Sequence, residues 1–440
     1  MTSDDLYADV VVLGAGLAGI SAATAAAERG ARVLVLERAP TTGGSAAISG
    51  GYVWTAADLD GLRKEDSGEF QRHGHLVVEG YRDATSWLSD YAAPLTAEQP
   101  NLHGRGHKFD IPLLLLNMTR VVAAAGGRLA VNAEVADVSR EPDGGFALSV
   151  RRDGATATVR ARALVLATGG RQADPGVRRS LVAGGGLLPP LRGNAFSRGD
   201  GAAIATVLGG RVNTANTGFY GHLWADGVEP VAPLDFIAFT LYQSEEGVML
   251  DAAGRRFADE TRGDHNNTTA LAAHGGRALL LWSEEVQERA GGQPFVGGSL
   301  PMDRWGISRD RGGRADSAAS ADELLALARG WGYDLDPSAL NEDEVRQRLG
   351  AGRIFAADVV PAVTMTFGGV EIDSGCRVLD AGDEPLPGLY AVGGDASDVY
   401  HRGYAGGLCA AAVTGRLAGA SAAVRAARRP KTSAAASPPA

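Results

Sequence analysis

The chain has 440 residues, 45% of them hydrophobic, and a formal net charge of −10; this length predicts two or three compact units. No basic stripe is present, which excludes a nucleic-acid partner. The cysteine complement, Cys376 and Cys409 only, excludes a disulfide scaffold, a CxxCH haem site and a cysteine-ligated iron–sulfur cluster. The first strand begins close to Met1 with no targeting segment ahead of it, and no uninterrupted apolar run of about 18 residues occurs. A cytoplasmic protein without a membrane span is therefore expected.

In chain order, Ala8 to Leu13 (ADVVVL) is a continuous apolar, β-branched run, the pattern of a buried parallel strand. The turn Gly14, Ala15, Gly16, Leu17, Ala18, Gly19 follows, then an Ala-rich helical stretch from Ile20 to Glu28 with Gly30 as its stop, then a second strand, Arg32 to Leu36. Together these form a dinucleotide fingerprint. Gly14 permits the tight turn, Gly16 lets backbone approach a pyrophosphate, and Gly19 lets helix and strand pack closely. The phosphates would sit on free N–H groups at the helix start. Glu37 stands where a carboxylate accepts ribose hydroxyls, which disfavours a 2′-phosphate.

Directly after Glu37 come Arg38, then Gly43-Gly44-Ser45 and Ser49-Gly50-Gly51. A second Gly-rich loop at this place is of no use to NAD, whereas FAD needs backbone close to the far phosphate and the isoalloxazine edge. Arg128 to Val138 reads as a strand and turn, with Val135 expected to hold the adenine through its backbone. Ala163 to Thr168 is another buried strand, and Ala167, Thr168 and Gly169 at its end can lie against the cofactor. The remaining Gly cluster, Gly184 to Gly186, follows no clear strand, so a second nucleotide site is not expected. Near the end, Leu389 to Val392 is a short strand leading into Gly394 and Asp395, the latter placed to accept a ribityl hydroxyl. Gly406 and Gly407 then open an Ala-rich helix to about Arg425, whose N-terminus can face the flavin and stabilise negative charge there. The tail from Arg428 to Ala440 is rich in Pro, Ser and Ala and reads as disordered.

The strings GAGLAG, GGSAAISGGYVW, LATGG, RGDG, GRRFADE, TFGGV and GLYAVGGD…RGYAGG together resemble the FAD-dependent group of fumarate reductases, 3-ketosteroid dehydrogenases and tricarballylate dehydrogenase-like proteins. They span the chain from Ala8 to about Gly419. The resemblance implies an α/β protein: a discontinuous Rossmann-type FAD-binding domain in residues 1–216 and 352–427, interrupted by an inserted α+β cap domain in 217–351. It adds Asp200 of RGDG to the cofactor contacts. The covalent flavin link of succinate dehydrogenases needs a His that GGSAAISGG lacks, so the FAD is expected to be non-covalent.

Members of the group move a hydride between the flavin and a carbon near an activating carbonyl, while another group moves a proton at the neighbouring carbon. The resemblance makes Tyr404 the carbonyl anchor, helped by the Leu408 N–H, and puts Arg402 where fumarate reductases carry a substrate-binding Arg. For proton transfer it points to Arg262, Asp264 and His265 without choosing among them. Tyr220 and His222, at the entry to the cap, are candidate substrate contacts. Fumarate reductases carry a His just before the string matching TFGGV; here Thr364 and Thr366 occupy that stretch, so fumarate and succinate are not the expected substrates. The expected function is dehydrogenation, or the reverse reduction, of a carbon–carbon bond beside a carbonyl in a small molecule that carries a carbonyl or carboxylate. The electron acceptor stays open among a quinone, oxygen and another redox protein. A flavin monooxygenase or amine oxidase, and an FAD-bound structural or sensing protein, remain alternatives.

Overall fold

The structure, a computed structural model, describes residues 6–66, 72–101, 104–229, 235–294 and 300–428. Apart from Arg428, the tail expected to be disordered lies outside the described residues.

Two sheets with separate cores organise the chain. In the first, Leu6–Leu13 lies parallel between Val33–Leu36 and Ala155–Leu166, with Val10 opposite Val33 and Ala163. Arg128–Ala130 extends the sheet beyond Val33–Leu36, and Pro385–Ala391 runs parallel to the end of Ala155–Leu166. Val10, Val11, Val12 and Leu13 are all buried; strands covered on both faces cannot alternate polar with apolar, hence the unbroken run. The N-terminal half of Ala155–Leu166 also closes an antiparallel meander with Glu134–Arg140 and Phe146–Arg152.

The fingerprint turn is built as its spacing requires. Gly14 has φ +105°, and a Cβ there would stand 2.1 Å from the Ala167 carbonyl oxygen. A Cβ on Gly19 would stand 1.9 Å from the Gly14 carbonyl oxygen. The helix that follows, Leu17–Ala27, packs backbone-close against the last helix, Gly407–Ala427. Added Cβ atoms on Gly415 and Gly419 would come within 2.3 and 2.1 Å of the Ala18 and Ala22 carbonyl oxygens. Gly407–Ala427 is the one helix among the described residues long and apolar enough to cross a bilayer by length and composition, and half of its most apolar window is buried within the fold.

The second sheet is antiparallel. Its long strand, Ile354–Thr366, pairs with Phe219–Ala225 along one part and with Ala278–Ser283 and Ala315–Ala318 along another, and Val248–Leu250 lies outside Ala278–Ser283. The boundary expected at residue 352 therefore needs correction: Ile354–Thr366 belongs to the cap sheet, and the chain rejoins the first core from Phe367 and Val370 onward. The two crossings run side by side, the Phe367 N–H donating to the Gly218 carbonyl at 2.9 Å. The long strand is also pinned by charge. Asp358 is fully buried and accepts bonds from Arg277, Arg314 and the Tyr333 hydroxyl, the last at 2.7 Å.

Candidate active site

A cavity of about 990 Å³ runs from the Gly14–Gly16 turn to the face of the cap sheet. At one end Glu37 accepts the Ala15 and Ala39 N–H groups at 2.7 and 2.8 Å, which holds its carboxylate at the wall. Arg38 pairs with Asp200 at 2.9 Å and reaches Glu134 at 3.4 Å. Burial raises the Asp200 carboxyl, and Arg38 opposes that shift. Helix Leu17–Ala27 starts at Gly16 with no side-chain cap, so its first-turn N–H groups are free for an anion. The space a Gly16 Cβ would occupy meets nothing nearer than the Gly43 carbonyl oxygen at 3.8 Å. Cavity size, open donors and a fixed ribose-height carboxylate fit an FAD.

Most of the expected cofactor residues stand on this wall: Gly14, Gly16, Leu17, Ala18, Glu37, Arg38, Gly44, Ser45, Ser49, Gly50, Val135, Ala167, Thr168, Gly169, Asp200, Gly394, Gly407 and Leu408. Behind it lie Ala15, Gly19, Gly43, Gly51 and Gly406, which shape the backbone instead. Gly406, for example, has φ +96° and would place a Cβ 1.8 Å from the Trp54 carbonyl oxygen. Asp395 needs a larger correction. It is buried, and its carboxylate is taken by the Thr168 N–H and hydroxyl, the hydroxyl at 2.9 Å. Burial pushes it up to about 7. It braces the two strand ends, and the backbone of Gly393 and Gly394 faces the cavity in its place.

At the cap end, Tyr404 lies edge-on to Trp54, ring centroids 5.8 Å apart, and stacks on Tyr220 at 3.7 Å. The Tyr404 hydroxyl accepts the Gly407 N–H at 2.7 Å, so its own proton is free to be donated. Burial pushes this phenol up to about 12. The Tyr220 hydroxyl lies 2.8 Å from His222 Nε2, and His222 Nδ1 meets Asp264 Oδ2. Asp264 Oδ1 also accepts the Leu223 N–H at 3.3 Å. Burial holds His222 well below its ordinary range, with Arg192 acting in the same direction. Its neutral ring thus gives Nδ1–H to Asp264 and offers the Nε2 lone pair to Tyr220. Burial pushes Asp264 up to about 7 against the pull of the Leu223 N–H and Arg192.

The candidates for proton transfer are therefore sorted. Asp264 is not a free wall carboxylate but the far end of a Tyr220–His222–Asp264 chain. His265 stands beside both rings, 5.4 Å from Tyr220 and 6.3 Å from Tyr404. Burial lowers it to about 4, against the opposing pull of the Arg402 and Gly221 backbone. Arg262 is exposed at the cavity rim. Arg402 is a correction: its side chain is exposed and outside the wall, and its N–H donates to Asp66 Oδ1 at 2.9 Å. Arg192, Tyr242, Arg304 and Thr364 line the cavity and were not expected. Arg192 arrives through a parallel bridge between Leu191 and Val363. No local signal in LPPLRGN announces a partner so far along the chain.

A parallel sheet with a dinucleotide turn, an FAD-sized cleft and a tyrosine-lined end beneath an inserted cap define an FAD-dependent oxidoreductase. The chain belongs to the FAD binding domain family, whose model matches residues 95–409, and the FAD dependent oxidoreductase model matches residues 9–171. It is 25% identical to the fumarate reductase (cytochrome) of Shewanella frigidimarina, over 94% of this chain and 77% of that protein. It is 24% identical to the 4-oxocyclohexanecarboxylate 2-dehydrogenase of Sinomonas cyclohexanicum, over 90% of this chain and 89% of that protein. Among solved structures, 3-ketosteroid Δ1-dehydrogenase from Sterolibacterium denitrificans shares the fold, with TM-score 0.74 and 16% identity over 95% of this chain and 99% of that one. The resemblance read from the sequence is borne out. The protein is an FAD-dependent dehydrogenase or reductase of the group that acts on carbon–carbon bonds.

Proposed function

We propose that the substrate is a small molecule whose reacting carbon–carbon bond lies beside a carbonyl, with Tyr404 as the anchor for that carbonyl and Tyr220 as the proton-transfer residue. The observation that carries this reading is the Tyr220–His222–Asp264 chain, which ends on the cavity wall against the Tyr404 ring. FAD, when bound, accepts or gives the hydride. Glu37, the Leu17–Ala27 N-terminus and the Gly393–Gly394 backbone are the groups that would hold it.

In the oxidising direction, the Tyr220 oxygen takes a proton from the carbon beside the carbonyl while its own proton passes to His222 Nε2. Asp264 stabilises the imidazolium so formed, as a buried carboxylate behind a catalytic His does elsewhere. Negative charge grows on the substrate oxygen, and a Tyr404 O–H bond to that oxygen strengthens as it does. The Gly407 N–H donated into the Tyr404 oxygen polarises that hydroxyl further. Such a bond favours the transition state over the ground state. In the reducing direction the same chain delivers the proton.

The test is Tyr404→Phe. The ring keeps its stack on Tyr220, and FAD content should be unchanged. Flavin reduction in a single turnover should slow on the order of 10²-fold, the loss expected for one oxyanion donor. A variant that reduces its flavin at the parent rate removes Tyr404 from the mechanism.

A further inference from the structure

Arg192 and Arg304 both face the cavity, and each is only 7% exposed. Burying a guanidinium is costly unless an acid accompanies it; the more exposed arginines of this fold do find one. Arg277 and Arg314 share Asp358, and Arg256 and Arg348 share Glu260. Arg178, also buried, gives its donors to the Pro189 and Gln172 carbonyls, away from the cavity. Arg192 and Arg304 form no ion pair among the described residues.

Their surroundings fix them without neutralising them. Arg192 Nε donates to the Thr240 hydroxyl at 3.1 Å and Nη1 to the Thr364 hydroxyl at 3.0 Å, and its plane covers the Phe236 ring at 4.9 Å. No described residue accepts from its Nη2. Arg304 Nε reaches the Ile237 carbonyl at 3.3 Å, its guanidinium lies 5.2 Å from the Tyr242 ring, and no described residue accepts from its Nη groups. Burial and the nearby Arg192 both lower the Arg304 value. Asp264, which feels the Arg192 charge, is already engaged by His222 and the Leu223 N–H. Two fixed positive charges thus line this end of the cavity with no ion pair of their own among the described residues. The cavity end they line also contains Tyr220 and Tyr404, on whose hydroxyls Arg192 acts by lowering both values.

From this geometry we infer that Arg192 and Arg304 form a carboxylate-binding clamp, so that the substrate is an oxo acid: its carboxylate meets the two guanidiniums while its carbonyl meets Tyr404. The second half rests on the proposed function; the clamp itself does not. Unpaired guanidinium forks match a carboxylate in shape as well as charge. A neutral ketone of the same size would leave both charges without an acid. The clamp stands at neither of the places that the resemblance suggested for arginines, Arg262 and Arg402.

The experiment is a calorimetric titration of the FAD-loaded protein with cyclohexanecarboxylate and benzoate, beside cyclohexanecarboxamide and benzamide. The carboxylates should bind at least about 10-fold tighter than their amides, as expected where the better ligand gains charge-assisted bonds. Arg192→Gln and Arg304→Gln should each abolish most of that preference while leaving FAD content unchanged. Arg192→Lys, which keeps the charge but loses the fork, should retain part of it. Where a Gln variant fails to fold, the carboxylate-to-amide ratio of the parent and of Arg192→Lys decides. Equal binding of acid and amide, absence of carboxylate binding, or an undiminished preference in both folded Gln variants would overturn the clamp. No turnover is needed, so a protein that binds carboxylates yet oxidises no oxo acid keeps the clamp and loses the carbonyl reading.

Discussion

Tyr220→Phe isolates the proton-transfer step. The substitution removes one oxygen and keeps the ring, so the 3.7 Å stack on Tyr404 and the 4.8 Å edge contact with His222 persist. His222 Nε2 loses its 2.8 Å partner, which costs folding about 1–3 kcal/mol, the penalty of leaving a buried acceptor without a donor. The chemical step loses more. A positioned proton-transfer group contributes roughly 10²–10⁴ in rate, which is about 3–5 kcal/mol of barrier. The two figures separate the roles cleanly: a purely structural Tyr220 would shift stability by the smaller amount and leave the rate near the parent value. Stopped-flow flavin reduction under anaerobic conditions, with a saturating oxo acid in H₂O and D₂O, reads the step directly. The variant should be slower by at least about 10²-fold, with an altered solvent isotope effect. A variant reducing its flavin within a factor of about three of the parent, with the isotope effect intact, would refute the relay, since even the low end of general acid–base contributions exceeds that.

Asp264→Asn should remove a pH limb. Burial raises Asp264 from 3.8 to about 7, and the relay needs its ionised form. Flavin reduction by the parent should therefore rise with pH through about 7 and flatten above it, whereas the Asn variant should be slow and lack that limb. Folding runs the other way. A raised carboxyl binds its proton more tightly in the folded chain, so its contribution to stability is full below 3.8 and lost as pH rises through about 7. Denaturant midpoints across that window should show this slope in the parent and a shallower one in the variant. Asp358→Ala leaves Arg277, Arg314 and Tyr333 facing an empty acceptor site on the long cap strand. Both arginines stay half in solvent, so the main loss is the buried acceptor of Tyr333, about 1–3 kcal/mol; an unshifted urea midpoint would contradict the cluster.

The sequence makes the cofactor half legible because its signals are local. Strand, glycine turn, helix and carboxylate follow one another within the first Rossmann unit, and each constrains backbone that touches its neighbours in sequence. The cap half is legible in parts only. RGDH announces titratable groups, but that Asp264 turns to His222 depends on a strand 42 positions earlier. Asp395 reads as a cofactor ligand until Thr168, 227 positions away, occupies its oxygens. Arg402 sits in the right string, yet the amides around it are drawn to Asp66. Ile354–Thr366 is recognisable as a buried strand, but no residue within it states which sheet it joins. Arg192 and Arg304 become a pair only when a loop and a cap helix meet, and nothing near either of them in the sequence anticipates that.

The backbone-close seam between the first helix and the last has a consequence for synthesis. Gly415 and Gly419 nest on Ala18 and Ala22, and the cofactor cavity takes Gly407, Leu408 and Ala411 from the later helix. A growing chain on the ribosome therefore carries its nucleotide fingerprint long before the later helix, and with it one wall of the pocket, has emerged. The Leu17–Ala27 helix must wait, its small-residue face uncovered, for a partner made almost four hundred residues later.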